Sequence, residues 1–273
     1  MRNWKISPKD SFVAAYIDCY WLLEKTADDG GPKSPKLNPD PAGHLILADS
    51  LQPYHYQSET FTNQGVGSHF ILPHSKTFLM NHSQPFLVVG IKFHIGALYS
   101  LKLPSSDLET EKVLGIHSKE LLSVNANRLI TNSLWSADKC RDYLDKQLTP
   151  LVANAQKDSH SELVSKILST FSNTSLSDIG SVLGCSQRTI ERSFLRVTGF
   201  TLKQYDSMQK LERLLNYVHK LDASKLEWAD IAFQFGFSDQ PHLVRYLKSV
   251  IGSTPGEYAQ LRDLAIDAYG NFE

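Results

Sequence analysis

Histidines and arginines are the residues whose spacing first suggests chemistry in this sequence. Seven of the ten histidines fall in the first half: His44, His55, His69, His74, His82, His94 and His117. Neutral imidazole ligates transition metals, so a metal-dependent cupin-type enzyme fused to a degenerate DNA-binding domain is one reading of the chain. The strong form of that signal would be a His-x-His pair followed shortly by glutamate, and the sequence does not contain it. Cys19, Cys140 and Cys185 form no CxxC pair, which predicts neither a zinc ribbon nor a disulfide scaffold and suits a reducing compartment. Nothing around Cys185 marks it as a thiolate nucleophile. With no nucleophile elbow or phosphate loop either, no catalytic residue, metal ligand or cofactor is expected.

The arginines are more informative. Residues 186–203 carry Arg188, Arg192, Arg196 and Lys203 against Glu191 alone, a local basic excess in a chain whose formal net charge is −1. At helical spacing Gln187, Arg188, Glu191 and Arg192 share a face, with Arg196 one turn on. Arginine can bridge guanine O6 and N7 with two hydrogen bonds, and glutamate can accept from cytosine N4. Such a face by itself is usually only a solvated helix surface. Its weight comes from the elements that carry it.

Those elements are repeated. Ile179-Gly180 corresponds to Ile231-Ala232 and Gly184 to Gly236, an offset of 52 residues. Beyond the turn the offset is 53: Ile190 with Leu243, Arg192 with Arg245, Val197 with Val250, and Gly199 to Tyr205 with Gly252 to Tyr258. The one-residue slip lies in a turn, where an insertion costs least. Each copy reads as helix, tight turn, helix. In the first, Ser175 and Asp178 suggest a cap, Leu176, Ile179, Val182 and Leu183 an apolar face, Gly184 a stop. Ser186 then caps a second helix with Ile190, Phe194 and Val197 inward. In the second, Pro241 falls in the first turn after Ser238, where the backbone N–H has no intrahelical partner to lose. Gly180 and Ala232 are small enough for two helices to cross closely. Between the copies, Leu202 to Leu221 reads as one helix, with Tyr205, Met208, Leu211, Leu215 and Val218 at helical spacing. Twenty residues span ~30 Å, close to the ~34 Å turn of B-DNA. This spacing predicts two recognition helices entering successive major grooves of duplex DNA.

The segment "IAFQFGFSDQPHLVRYLKSVIGSTPGEY" at 231–258, supported by "LSDIGSVLGCSQRTIERSFLRVTGFTLKQY" at 176–205, resembles the AraC-type (AraC/XylS) transcription regulators over about residues 160–262. Gly180 stands where alanine is usual, Leu202 where proline often follows, and Lys210 and Glu212 in a stretch that is commonly more basic. The resemblance implies sequence-specific DNA binding through Gln187, Arg188, Glu191, Arg192 and Arg196 in the first unit. In the second it implies Gln240, His242 and Arg245, with Lys248 reaching phosphate. Residues 1–150 resemble a variable N-terminal domain attached to some of these regulators, through "YIDCYWLLE", a Pro-x-x-Gly-His turn and "VVGIKFHIGAL". In such proteins the domain is a cupin-like β-barrel that senses a small molecule or mediates dimers.

The bulk properties agree. With 273 residues, 41% hydrophobic and 21% charged, the chain suits two globular domains. The expected fold is α+β: a β-rich, cupin-like barrel with helices over 1–152, a linker at 153–159, an all-α domain over 160–262 with two helix-turn-helix units joined by a linker helix, and a tail over 263–273. Residues 28–43 are loop-like. The runs Leu45–Leu47, Phe70–Leu72, Phe78–Met80 and Phe86–Phe93 read as strands. Leu121, Leu122, Val124, Leu129 and Leu134 suggest helix. Leu144, Leu148 and Leu151 form an apolar stripe on a helix from Ala137 to Val152, which is covered either by its own barrel or by a second copy in a homodimer. Tyr20, Trp21, Tyr54, Tyr56, Phe61, Phe70, Phe86, Phe93 and Tyr99 are candidates for an effector pocket or for core. No apolar signal or membrane-spanning run is present, so a cytoplasmic protein is expected.

Overall fold

The computed structural model describes residues 1–273 except 60, 105–108, 117–125, 127–135, 172–173, 223–225 and 270–273. Its N-terminal half is built on two sheets. The six-stranded one has the spatial order β1 (Arg2–Ile6), β2 (Ile17–Lys25), β9 (Phe86–Phe93), β4 (His44–Ala48), β7 (His69–Ile71), β10 (Val113–Gly115). The four-stranded one runs β3 (Lys36–Leu37), β8 (Phe78–Met80), β5 (Pro53–Gln57), β6 (Thr62–Val66). Neighbouring strands in both sheets pair antiparallel. All four apolar runs singled out in this half fall on strands, with Leu72 one residue past the end of β7. Among the described residues the expected barrel does not close, and its strands form two separate sheets. Strands β3, β7, β8 and β10 are only two or three residues long, so the hydrogen-bond ladder runs out before it closes.

Alternation along β2 sorts its side chains to two faces. Tyr20 and Leu22 join Leu45, Phe70 and Phe93 in one core cluster. Cys19, Trp21 and Leu23 join Ile46, Ile71 and Phe78 in another, between the sheets. The first face is covered by α1 (Ser11–Ala14), α2 (Ala97–Leu101) and α3 (Ala137–Ala153). Leu144 and Leu148 of α3 are wholly buried there, and Leu151 is half-buried, so this stripe is core of its own domain and not a surface for a second copy. The buried Asp145 beside them is satisfied: its carboxylate accepts from the Tyr20 hydroxyl at 2.8 Å and from the backbone N–H groups of Lys9 and Asp10. The helical run expected over residues 121–134, and His117, lie outside the described residues.

The C-terminal half is helical: α4 (Ser159–Phe171), α5 (Ile179–Leu183), α6 (Gln187–Thr198), α7 (Leu202–His219), α8 (Trp228–Gln234), α9 (Gln240–Ile251), α10 (Pro255–Leu261) and α11 (Ala265–Tyr269). Ile179, Ile190, Phe194 and Tyr205 sit in one core cluster, and Ile231, Leu243, Leu247 and Tyr258 in the equivalent one. The connecting stretch is tethered to the N-terminal half, where Gln156 N–H donates to the Ser100 carbonyl at 2.8 Å and Tyr99 Oη to Asp158 at 2.7 Å. Helix α11, in the expected tail, packs back between the sheets, with Ala265 and Tyr269 buried beside Trp21, Leu37 and Ile46.

Candidate nucleic-acid interface and ligand cavity

Helix α6 owes its position to the turn before it. Gly184 ends α5 at φ 62°, a left-handed conformation that glycine adopts without a Cβ clash. A Cβ at Gly180 would lie 2.9 Å from the Cys185 carbonyl oxygen and 3.8 Å from Ile190 Cδ1, so the small residue here admits both the returning turn and the close approach of α6. Ser186 caps α6 by accepting from Thr189 N–H. Helix α5 is shorter than the expected capped helix: Ser175 opens a turn, bonding Asp178 at 2.6 Å, and Val182 points to solvent. Ile190, Phe194 and Val197 face inward. That orientation turns Gln187, Arg188 and Arg192 to solvent, with Glu191 half-buried and held by Gln187 Nε2 at 3.0 Å. Arg196 is exposed too, but its Nε donates to Tyr99 Oη of the N-terminal half at 3.0 Å.

The second unit repeats the device. Gly236 takes φ 68°, and Asp239, the residue after the expected Ser238, caps α9 by accepting from His242 N–H at 2.6 Å. Pro241 sits in the first turn, as its missing N–H requires. Leu243 and Leu247 face inward, leaving Gln240, His242, Arg245 and Lys248 exposed. His242 Nδ1 lies 3.1 Å from Ser238 Oγ, and its ring packs edge-on to Phe237 at 5.3 Å, which fixes the imidazole on this face. Every residue of the predicted readout set is therefore on the outside of one of two equivalent helices. The helix between the units, α7, starts with a reciprocal capping box between Thr201 and Gln204. Its 18 residues span about 27 Å. At its far end Arg262 donates to the Val218 and Leu221 carbonyls, both at 3.0 Å, satisfying the helix C-terminus.

The second feature of note lies between the two sheets. A cavity of about 590 Å³ is lined by Trp21, Tyr54, Tyr56, Phe86, several histidines and, from the far end of the chain, Tyr269. Of the aromatic candidates, Tyr20, Phe70 and Phe93 lie on the opposite face as core, and Tyr99 lies at the contact with α6. Phe61 packs edge-on to Phe78. Tyr269 escaped sequence reasoning because only the chain's return from the helical half brings it here. Four of the lining histidines are engaged locally. His44 Nε2 is 3.0 Å from Asp40, His69 Nε2 is 2.9 Å from Tyr56 Oη, His74 Nδ1 is 2.8 Å from the Lys76 carbonyl, and His82 Nδ1 bonds Tyr269 Oη. Burial pulls the pKa values of His69 and His82 down to about 4. Burial would raise the Asp40 carboxyl, yet Lys92 at 2.6 Å and His44 hold it well below the usual range. Among the described residues no group of three or more His, Cys, Asp or Glu side chains is placed to hold a metal ion.

The two halves meet at several specific points. Lys36 forms an ion pair with Asp263 at 2.9 Å and donates to Ser253 Oγ and the Ile251 carbonyl, at the C-terminal end of α9. Thr77 N–H donates to the Val250 carbonyl. Cys19 and Cys140 are buried, with thiols pushed up to about 12, and Cys185 is half-buried in the first turn. No helix among the described residues is long and apolar enough to cross a membrane.

Two family models match the chain. One, described as a helix-turn-helix domain, covers residues 179–261. The other, described as a domain of unknown function (DUF6597), covers residues 5–113. No curated protein matches. Among similar solved structures is ToxT from Vibrio cholerae O395, at 11% identity and TM-score 0.46 over 95% of this chain and 96% of that one. The unsaturated fatty acid bound wild-type ToxT from Vibrio cholerae strain SCE256 is 12% identical, with TM-score 0.44 over 99% and 96%. The AraC-like transcriptional activator CuxR is 12% identical, with TM-score 0.31 over 79% and 86%.

Proposed function

We propose, from the premise that residues 179–261 form a helix-turn-helix domain of the AraC type, that this chain is a sequence-specific DNA-binding transcription regulator and not an enzyme, working in the cytoplasm. The observation that carries the reading is the pair of equivalent units. Both place a left-handed glycine within two residues of the end of their first helix, cap the second with a side-chain oxygen, and leave polar and basic side chains exposed on it. Arg188, Arg192 and Glu191 suit base edges in the major groove. Gln187, Gln240, His242 and Arg245 extend the contact set, and Arg196 and Lys248 suit phosphate.

The same reading includes a response to a small molecule. The cavity belongs to the N-terminal half, yet one wall is Tyr269, which follows the second unit by only a few residues. A molecule that pushes Tyr269 alters the anchorage of that unit. We also assign a homodimer through the N-terminal half, which would bring four helix-turn-helix units to one duplex and raise effective affinity without new contacts. Sedimentation at micromolar concentration tests this, and a single monomeric species counts against it. Selection of bound sequences from random duplexes tests the function itself. Enrichment of a defined site is expected, and uniform retention of all sequences would reduce the chain to a non-specific or non-binding module.

A further inference from the structure

Among the described residues, the cavity between the sheets is lined by polar side chains but by no aspartate, glutamate, lysine or arginine. The charged groups beside the wall are already engaged by protein atoms. Lys25 Nζ donates to the His82 carbonyl at 2.7 Å, and Lys92 is paired with Asp40, which also takes His44. The buried rings of His69, His74 and His82 are neutral near pH 7. His69 and His82 titrate at about 4, and burial also lowers His74. Their Nδ1 positions at His69 and His74 donate to the carbonyls of Gly67 and Lys76, so each ring presents an acceptor at Nε2. That of His69 is taken by Tyr56, whereas that of His74 is buried without a partner.

A charged ligand would leave water for a site with no opposite charge to meet it, and that desolvation goes uncompensated. An uncharged molecule faces no such cost. It gains from covering Trp21, Tyr54 and Phe86, whose rings favour offset or edge contact with another ring. The volume, about 590 Å³, is in the range of small-molecule sites.

We propose that this cavity binds an uncharged, largely apolar, ring-bearing molecule and discriminates against anions and cations of the same shape. The proposal rests on the ligand-responsive reading above and names the chemistry of its ligand.

The test uses the full-length chain without DNA at neutral pH. Three probes share one frame and differ in charge: 2-naphthol, naphthalene-2-carboxylate and 2-naphthylmethylammonium. Binding is read by calorimetry and by quenching of tryptophan fluorescence, since Trp21 lines the site. 2-Naphthol is expected to bind about tenfold or more tightly than either ion, given the missing countercharge. Gln52→Lys then places a cation at a half-buried wall position, on the same face as Tyr54, without touching the core. This variant is expected to shift the preference toward naphthalene-2-carboxylate. Equal or tighter binding of either ion by the unaltered chain would overturn the assignment, as would no binding of 2-naphthol. So would a Gln52→Lys variant that binds 2-naphthol with unchanged selectivity, because the probe would then sit elsewhere. The measurement contains no DNA, so its failure leaves the DNA-binding reading intact, and failure of DNA selection leaves this site intact.

Discussion

At the scale of single residues, Arg192 and His69 illustrate the two kinds of demand this chain meets. Arg192 is solvent-exposed on α6, one turn beyond Arg188, on a helix whose buried side is filled by Ile190 and Phe194. Replacing it should leave the fold alone and remove readout. Arg192→Ala is expected to cost ~1–3 kcal/mol of discrimination at one base pair, measured as the affinity ratio between the selected site and its single-base variant. His69 is the opposite case, a neutral ring 2% exposed between Tyr56 and the Gly67 carbonyl. Its pKa falls from 6.5 to about 4 because burial disfavours the cation. In the unfolded chain the ring takes a proton below about 6.5, whereas in the folded chain it does not until about 4. The unfolded state therefore binds more protons in that window, and stability falls as pH drops through it. For His69 alone the loss amounts to a few kcal/mol by the relation of ~1.4 kcal/mol per pH unit. The melting temperature should decline between pH 7 and 4.5, and His69→Gln should flatten that decline. An equally steep profile in the variant would place the sensitivity elsewhere.

At the scale of elements, local signals and long-range ones parted company. The two glycine turns, the Ser186 cap and the linker helix were legible because each is written within a few residues: Gly184 and Gly236 supply positive φ, and Ser186 precedes an apolar 3.6-residue period. Strands β4, β7, β8 and β9 were likewise legible from their apolar runs. Which face each side chain took was not. Period-two alternation sends Trp21 to the cavity and Tyr20 to the core, but the sequence does not say which face encloses a cavity until both sheets are present. The stripe on α3 had two candidate covers, its own domain and another copy. The packed answer is the first, because α3 lies across the six-stranded sheet with Leu148 fully buried against it. Leu148→Glu should therefore unfold the N-terminal half, not release a folded monomer, since an unpaired carboxylate would be left in apolar core. Circular dichroism and a lost melting transition check this. A folded variant with altered oligomeric state would reinstate the stripe as an interface.

At the scale of the whole molecule, the helical half is joined to the N-terminal half at both ends. Arg196 of the first unit reaches Tyr99, and the second unit is held by Lys36, Asp263 and the return of Tyr269 into the cavity wall. None of these pairings is written locally, since Tyr99 and Arg196 are 97 residues apart and His82 and Tyr269 are 187 apart. The proposed function holds that two equivalent recognition helices, separated by the continuous helix α7, read two segments of one duplex in phase. Its most direct test is the affinity of the full-length chain for its selected site before and after insertion of about five base pairs, half a helical turn, between the contacted segments. The insertion rotates the second major groove to the far side of the duplex while preserving every base the protein reads. A loss of affinity on the order of a hundredfold is expected, as when one of two linked contacts is withdrawn. Recovery is predicted when the insertion is extended to a full turn only if α7 can span it, and its ~27 Å length says it cannot. Undiminished affinity after the half-turn insertion would contradict the claim, showing that a single unit carries the recognition.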